Sequence, residues 1–575
     1  MTRFDTLPAS AQEFNAWPWP QIAPYYDGLL ARPLSADTVA AWLADWTRLS
    51  ALLDETNTPY TIATTVNTAD QAAETGYKTY LDTIVPPMGE AEQRLKQKLI
   101  DSGLEPAGFA MPLLKLRTEA ELFREANLPL LSEERKLGLE YEQIAGARTV
   151  QWEGEEIPVI QLYPVLEEPD RDRRERAWRT IFARVADDTP ALAPLWRQMV
   201  QTRDQIAHNA GLPDFRAYKW RQLFRFDYTP DDAQRFHAAI AEVAVPATTR
   251  LWQRRRQQLG VPTLRHWDLN VDPQSRAPLR PYATIAELED GVERIFRQVD
   301  PQFAAYFATM RAEGLLDLES RKNKAPGGYS LGYAVTRQPF IFTNATRTHG
   351  DVQTLLHEGG HAFHTFECAP LPYLPQWQEQ MLPMEFAEVA SMGMELLSAP
   401  YLTRDQGGFY SEAEAARARL DNLREIIAFW PYMAMIDALQ HWIYEHPADA
   451  ADIERCDDHW ETLVDRYWPG LDWSGVERAK RTYWHQQSHV FTDPFYYVEY
   501  GIAQLGAVQV WANAQRDPAG AAAAYRRALA LGATVPLPQL YAAAGAKFAF
   551  DADTLRDAVT LLERTIAELE PLAQG

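Results

Sequence analysis

Residues 351–364 read DVQTLLHEGGHAFH, a stretch that predicts both a helix and a chemical site. Apolar residues recur at helical spacing, and Asp351 is the expected N-cap. His357 and His361 lie four residues apart, which places both imidazoles on one helix face, and Glu358 points roughly 100° away around the axis. Two histidines at this spacing can hold a zinc ion, while the glutamate stays free to act on a water molecule.

A catalytic zinc site needs a third protein ligand and one open position. Glu367 follows His361 at the spacing of another zinc-protease pattern, but His364 replaces the glycine of that pattern's turn. Glu379 falls in a proline-flanked loop. The remaining candidates are on a second predicted helix, which starts at Pro383; they are Glu385, Glu388 and Glu395.

These three glutamates differ in their surroundings. Glu385 lies in the first turn, where the helix dipole alone explains an acid. Glu388 lies one turn deeper among apolar residues, and a carboxylate there needs a partner. Glu395 lies on nearly the same helix face as Glu388. It is either a hydrogen-bond acceptor for a ligand imidazole or a solvated helix acid. The sequence alone narrows the third ligand to these three residues, of which Glu388 is the one whose apolar surroundings call for a partner.

Residues 325–344, APGGYSLGYAVTRQPFIFTN, predict a glycine-containing loop followed by one strand. Gly359 and Gly360 each cost the helix about 1 kcal/mol relative to alanine, and close approach of the helix backbone to this strand would explain them. A free strand edge at residues 342–344 would pair with an extended peptide. The alternative is an ordinary buried strand that packs on the helix.

A third segment is rich in aromatic residues, with His489 followed by Tyr496, Tyr497 and Tyr500. Such clusters usually belong to a core. A phenol near the scissile carbonyl would instead donate a hydrogen bond to the oxygen as it gains negative charge. Tyr497 and Tyr500 share one side of a helix at this spacing. The neighbouring His485 is an alternative to His489.

Composition narrows the classes of function. The 575 residues include 79 acidic and 56 basic side chains, a formal net charge of −23. This excess disfavours binding to nucleic acid or an anionic membrane. Two cysteines, Cys368 and Cys456, make no disulfide framework and suit a reducing cytoplasm. We predict a cytoplasmic protein with no signal peptide, membrane span or obligate protein partner.

Helical periodicity dominates the chain. The exception before residue 325 is Thr149–Leu166, where alternating apolar and polar residues around Gly154 predict a hairpin, with Pro158 confined to an edge strand. Length alone permits about four domains. The candidate site residues, however, extend from His357 to His489, so one site draws on more than a hundred residues.

These segments resemble the zinc oligopeptidases that include thimet oligopeptidase and, more closely, oligoendopeptidase F. The resemblance spans at least Ala325–Phe550 and becomes weaker towards Arg171 and Thr149. The motifs that carry it are APGGYS at Ala325, PFIFTN at Pro339, DVQTLLHEGGHAFH at Asp351, FAEVAS at Phe386, HVFTDPFYYVEYGIAQLGA at His489 and LPQLYAAAGAKFAF at Leu537.

The resemblance implies a mainly α fold in which two helical lobes flank a deep substrate channel, with a small β-sheet near the zinc site. Residues 1–195 would form an N-terminal helical lobe with the hairpin, and residues 196–575 the catalytic domain. One zinc ion per chain would bind to His357, His361 and Glu388. Glu358, His489 and Tyr497 would be catalytic, and Tyr496, Tyr500 and Gly328 would bind substrate.

The implied activity is that of a zinc metalloendopeptidase that cuts internal bonds of short unstructured peptides, with Glu358 as the base that activates water. Two rivals remain. A zinc carboxypeptidase on a related helical scaffold would use the same histidine pair and would release single C-terminal residues. A peptide-binding protein with a structural zinc is disfavoured because no fourth protein ligand is evident.

Overall fold

The computed structural model describes residues 4–574. It is mainly helical, which confirms the predicted fold class. The first part of the chain contains α1 (Ala11–Phe14), α2 (Trp19–Ala31), α3 (Val39–Val66), α4 (Gln71–Thr83), α5 (Val85–Asp101), α6 (Ala110–Leu122), α7 (Leu128–Gly146), β1 (Thr149–Trp152), β2 (Glu155–Pro158), α8 (Arg171–Asp187), α9 (Thr189–Asn209), α10 (Phe215–Gln222) and α11 (Pro230–Leu259).

The remaining elements surround the predicted site. They are α12 (Ile285–Val299), α13 (Pro301–Ala312), β3 (Leu316–Glu319), β4 (Tyr329–Tyr333), β5 (Gln338–Ala345), α14 (His349–Cys368), α15 (Met384–Ser398), α16 (Glu412–Glu445), α17 (Pro447–Ala450), α18 (Ile453–Tyr467), α19 (Glu477–Thr482), α20 (Ser488–Thr492), α21 (Tyr497–Ala514), α22 (Pro518–Leu529), α23 (Leu537–Ala543) and α24 (Ala552–Leu569).

Buried apolar side chains form a small core in the N-terminal helices and a larger core in the rest of the chain. Trp42 and Leu95 belong to the small core, which Met381 and Ala533 join from the C-terminal part. The larger core includes side chains of α7, α8 and α9. Residue 195 lies within α9, and the division of the chain at that residue stays a prediction.

The predicted hairpin is present but shorter than expected. β1 and β2 pair antiparallel, with Thr149 opposite Pro158 and Trp152 opposite Glu155. The expectation that strand structure continues to Leu166 is wrong, because Val159–Glu167 forms 3-10 turns. Pro158 cannot donate a hydrogen bond to a continued ladder, and the apolar residues that follow it are buried at near-helical spacing instead.

The segment near the helix of residues 351–364 holds two strands where one is predicted. Within residues 4–574 the sheet has the order β3-β5-β4, with β5 parallel to β3 and antiparallel to β4. Phe342 on β5 pairs with Asp317 on one side and with Tyr329 on the other. The predicted free edge at residues 342–344 is therefore wrong, and the outer strand on this side of the sheet is β4.

The start of α14 also differs from the prediction. Thr348 is the N-cap, and Asp351 lies three residues later as the other half of a capping box. The Asp351 carboxylate accepts hydrogen bonds from the backbone N–H of Thr348 at 2.6 Å and from the Tyr282 hydroxyl at 2.5 Å. The acid thus fixes the first turn from within the helix.

The two glycines of α14 contact other helices rather than the strand. A Cβ atom on Gly360 would lie 2.4 Å from the carbonyl oxygen of Ala390 and 2.6 Å from the Cα atom of Ser391, both on α15. A Cβ atom on Gly359 would lie 2.6 Å from the ring of Phe296 on α12. The predicted approach to β5 is corrected, since Gly360 instead allows α14 and α15 to meet backbone to backbone.

The most apolar helical stretch of the chain lies inside α16. Ile427, Trp430 and Ile436 in this stretch are buried in the larger core, and Asp437 interrupts it. Among residues 4–574 no helix has both the length and the apolar character needed to cross a bilayer.

We expect Gly360→Ala to lower both the thermal stability and the metal content of the protein. The new methyl group would meet backbone atoms that cannot rotate away, at a cost of about 1–3 kcal/mol, and would push α15 away from α14. Differential scanning calorimetry and elemental analysis measure the two effects.

Gly89→Ala in α5 is the matched control, because no described atom lies within 4 Å of the added Cβ atom. This substitution should leave metal content unchanged and stabilise its helix slightly. A Gly360→Ala protein that melts and binds metal like the wild type would contradict the close contact between the helices.

Candidate metal centre and active site

Three ligand-type atoms from two helices converge on one point. The Nε2 atoms of His357 and His361 lie 3.5 and 3.8 Å from Oε2 of Glu388. Each residue offers one ligand atom, and all three atoms lie within 4.8 Å of one another. The predicted histidines and Glu388 are thus brought together, although they are separated by a loop and a helix boundary.

The spacing of these atoms fits a metal ion. Ligand bonds of about 2.0–2.2 Å in tetrahedral geometry place ligand atoms roughly 3.3–3.6 Å apart, close to the two distances observed. Ser391 donates a hydrogen bond of 2.8 Å to Oε2 of Glu388, which fixes the orientation of that carboxylate. Two imidazole nitrogens and one carboxylate oxygen form a donor set that leaves a fourth position open.

Glu395 occupies the supporting position proposed for it. Its Oε1 atom lies 2.7 Å from Nδ1 of His357. A carboxylate can only accept in this pair, so Nδ1 carries the proton and the lone pair of Nε2 faces the other ligand atoms. Burial disfavours the charged imidazole, but the Glu395 hydrogen bond and the neighbouring carboxylates together raise the pKa of His357 to about 9.

Glu358 is buried beside the ligand atoms and is not one of them. Burial, reinforced by the charges of Glu388 and Glu379, raises its pKa to about 7. A Cβ atom on Gly328 would lie 3.6 Å from Oε1 of Glu358, so the loop before β4 passes directly beside this carboxylate. A group with a pKa near neutrality is suited to accept and return a proton.

The other candidate glutamates have different partners. Glu367 accepts a 2.6 Å hydrogen bond from Arg526, and Glu379 lies on the segment between α14 and α15. Glu385 lies in the first turn of α15 as expected, where it accepts a 2.8 Å hydrogen bond from Tyr228 and is buried near Arg225.

A second histidine cluster lies elsewhere, in the packing of α11 against α16. His237 and His441 approach Oδ2 of Asp437 at 2.8 and 3.3 Å. Arg216 lies 3.3 Å from Nδ1 of His441, and because arginine only donates, this nitrogen is the acceptor. The proton of His441 is then on Nε2, which removes the lone pair that a metal would need on the side facing Asp437.

His489 faces the aromatic segment, and His485 does not. His485 is fully buried and its Nε2 lies 2.8 Å from Asp457. The ring of His489 lies 5.1–6.2 Å from the rings of Tyr496, Tyr497 and Tyr500. Between the two alternatives, the structure therefore places His489 beside the tyrosines.

A glutamine that sequence reasoning missed orients His489. Tyr432 donates a 2.8 Å hydrogen bond to Oε1 of Gln487, and Nε2 of Gln487 lies 2.9 Å from Nδ1 of His489. In this arrangement the amide donates to Nδ1, and His489 presents an N–H group at Nε2. Burial lowers the pKa of His489, which favours the neutral ring.

The three tyrosines are not equivalent. The charge of Glu388 contributes, after burial, to the raised pKa of both Tyr496 and Tyr500. Tyr497 instead packs against Phe429 and Tyr432, and burial raises its pKa to about 12. The charge of Glu388 thus acts on Tyr496 and Tyr500, whereas Tyr497, to which the resemblance gives the catalytic role, packs against side chains of α16.

A buried clamp holds the start of the tyrosine helix. Phe495 has a positive φ of 67°, which is rare for a large side chain, and its N–H donates to Oε1 of Gln440 at 2.6 Å. Arg225 donates to the Phe495 carbonyl and to Oε1 of Glu499, the latter at 2.6 Å. Sequence reasoning missed both partners because they lie hundreds or tens of residues away.

Comparison with known proteins places this geometry in a family. Residues 165–560 match the family described as Peptidase family M3. The structure of PZ peptidase A with an inhibitor has a TM-score of 0.85 at 24% identity, over 99% of this chain and 100% of that chain. No match is found among curated proteins.

Two further solved structures carry a provisional assignment as oligoendopeptidase F. One has a TM-score of 0.85 at 26% identity, over the full length of both chains. The other, from Bacillus anthracis strain Ames, has a TM-score of 0.81 at 22% identity, over 96% of this chain and 97% of that chain. The fold therefore extends through the N-terminal helices, beyond the residues that match the family.

We expect Glu388→Ala to abolish tight metal binding, because two imidazoles alone would remain as ligands. Glu395→Gln should retain the metal with an affinity about 10–100-fold weaker, since it removes only the group that orients His357. Equilibrium titration of the metal-free proteins measures both effects.

Glu367→Gln is the control, because this acid contacts Arg526. It should bind metal like the wild type. Native affinity in Glu388→Ala would show that another residue supplies the third ligand.

Proposed function

Because the chain belongs to Peptidase family M3, a family of metallopeptidases, we propose that it is a zinc-dependent endopeptidase of short, unstructured peptides. The observation that carries the proposal is the convergence of His357, His361 and Glu388 beside Glu358, a carboxylate that has no place among the ligands. A purely structural metal site would have no use for a buried carboxylate with a pKa near 7.

Zinc is the metal that best fits the donors. Two neutral imidazole nitrogens and one carboxylate oxygen match the ligand set of catalytic zinc sites in peptidases. When bound, zinc supplies Lewis-acid chemistry that acidifies water and polarises a carbonyl group. We propose one ion per chain, because of the two candidate donor sets within residues 4–574 the second has a proton on Nε2 of His441 and is unsuitable.

Glu358 is proposed as the general base and then the general acid. As a carboxylate it takes a proton from the attacking water, and as the acid it gives that proton to the amine that leaves. Gly328 keeps the space beside Oε1 of Glu358 open for the peptide backbone, since the Cβ atom of any other residue would lie 3.6 Å away. This agrees with the proposed contact between Gly328 and substrate.

His489, Tyr496 and Tyr500 are proposed to stabilise the oxyanion of the tetrahedral intermediate. His489 offers the N–H at Nε2, and the two phenols offer O–H groups near Glu388. Such donors act mainly in the transition state, when the carbonyl oxygen becomes negative. Tyr497 is proposed to support His489, which its ring contacts at 5.1 Å between centroids.

The substrate is proposed to bind in extended form along β4, the outer strand of the sheet. An added strand needs a peptide whose own backbone groups are unpaired, which describes a short unstructured chain. Helix α3 lies along the same strand, where Thr65 contacts the Tyr329 hydroxyl at 2.6 Å and Thr58 approaches the Gly332 carbonyl at 3.5 Å. The N-terminal helices would thus form one side of the substrate channel.

The proposed location is the cytoplasm. Cys368 and Cys456 are both buried as free thiols, a state that a reducing compartment maintains. Burial raises the pKa of the Cys368 thiol to about 12, so it stays protonated and unreactive.

We expect Glu358→Gln to retain zinc and the fold while turnover falls by at least about 100-fold, because the amide has no proton affinity. Steady-state kinetics on a fluorogenic peptide and zinc analysis of the same sample measure this. Turnover within a few-fold of the wild type would reject Glu358 as the base.

The pH profile tests the same residue. Only ionised Glu358 accepts a proton, so kcat/KM should fall about tenfold per pH unit on the acid side. The midpoint should lie at or below about 7, because the bound cation lowers the pKa of this carboxyl from its metal-free value. An acid-side midpoint clearly above 7, or a kcat/KM that rises as the pH falls, would contradict the assignment.

Substitution of each tyrosine by phenylalanine tests the oxyanion donors. We expect Tyr500→Phe and Tyr496→Phe to lower kcat by roughly 10- to 1000-fold with little change in KM. Tyr497→Phe is the comparison and should lower kcat less. A larger loss in Tyr497→Phe than in the other two would return the catalytic role to Tyr497.

A further inference from the structure

A cavity of about 450 Å³ lies between the N-terminal helices and the segment that connects α14 to α15. Its walls are mostly apolar and aromatic, with Trp46 from α3, Tyr80 from α4, Met88 from α5 and Leu374 from the connecting segment. This volume lies in the range of small-ligand pockets. The connecting segment, which forms one wall of the cavity, joins the helix of His357 to the helix of Glu388.

Two of the charged side chains in the cavity wall have partners of their own. Glu92 accepts hydrogen bonds from Tyr26 at 2.6 Å, and from Trp46 and Ser50 at 2.8 Å each. Lys96 forms a 2.8 Å ion pair with Glu119. Three hydrogen bonds satisfy the carboxylate of Glu92 and an ion pair satisfies Lys96, so neither group needs a partner from a ligand.

Asp54 differs from both. Its closest hydrogen-bond donor is Nε2 of Gln378 at 3.4 Å, and among residues 4–574 no cationic side chain contributes to its electrostatic environment. Burial raises its pKa to about 6. A carboxylate in an apolar cavity without a counter-ion is costly for the folded state, and a cation brought by a ligand would remove that cost.

A path of carboxylates leads from this cavity to the proposed base. Glu379 follows Gln378, and the charge of Asp54 adds to burial in raising the pKa of Glu379 to about 7. The charge of Glu379 in turn contributes to the raised pKa of Glu358.

We propose that this cavity is an accessory substrate pocket for a cationic group on an apolar stem, with Asp54 as its counter-ion. The inference rests on the proposed peptidase function and adds a preference for substrates that carry a positive charge at a fixed distance from the cleaved bond. The aromatic walls suit the methylene groups of the stem and attract a cation over their ring faces. The cation is the α-ammonium group of the first residue or the side chain of an arginine or lysine.

A set of matched peptides distinguishes the two sources. In one series a single arginine moves through each position of an otherwise neutral peptide, with the isosteric neutral citrulline as its control. In the second series the amino terminus is free or acetylated. Binding is measured on the Glu358→Gln protein loaded with zinc, and kcat/KM is measured on the wild type.

We expect the charged form to bind about tenfold more tightly than its neutral counterpart at one position, or at the free terminus. Asp54→Asn should remove this preference. Asp45→Asn on the same helix changes the net charge equally, but Asp45 pairs with Arg32 at 2.5 Å and does not line the cavity. That control should keep the preference, and melting temperatures check that both variants are folded.

The two proposals fail separately. The accessory pocket would be overturned if Asp54→Asn kept the wild-type ratio of affinities for the charged and the neutral peptide, or if Asp45→Asn lost the preference equally. Cleavage of neutral peptides would still support the peptidase in either case. If charged peptides bind more tightly only when Asp54 is present, but the zinc-loaded wild type cleaves no peptide, the pocket would be supported and the proposed activity overturned.

Discussion

The site depends on the backbone contact between α14 and α15 at Gly360. Two ligand-type atoms come from one helix and the third from the other, so a metal fits only if the helices approach closely enough to bring Glu388 within 4 Å of both imidazoles. A side chain at position 360 would collide with the backbone of Ala390 and Ser391. The helix therefore carries a residue of poor helix propensity because the approach requires it.

The carboxylates of Glu358, Glu388 and Glu395 cluster beside this contact, in a region largely shielded from water. A divalent cation would offset the repulsion between these carboxylates. Glu395 is already engaged by His357, which leaves Glu358 as the group whose pKa lies near neutrality. The aromatic segment is held separately, since Arg225 and Gln440 fix the unusual backbone of Phe495 at the start of α21. The proposed donors to the substrate are thus held by contacts within the protein.

Local spacing is enough to predict the helix and the histidine pair, because both depend on periodicity over a few turns. The choice of Glu388 among three candidate glutamates comes from the resemblance. Contacts between distant segments were not accessible in this way. The sequence predicts a free edge for β5 because its parallel partner, Leu316–Glu319, carries no distinctive strand pattern. The neighbours of Gly359 and Gly360 and the partners of Phe495 depend on how separate helices pack, which no local pattern records. The difference between Tyr497 and its neighbours likewise appears only once α16 and α21 are seen together.

The central claim is tested most directly by mass spectrometry of an unstructured peptide incubated with the protein before chelation, after chelation and after zinc is restored. The account predicts cuts at internal bonds that disappear with the metal and return with zinc, and that are absent throughout in Glu358→Gln. Release of single C-terminal residues would indicate a carboxypeptidase, and binding of the peptide without any zinc-dependent cut would contradict the account.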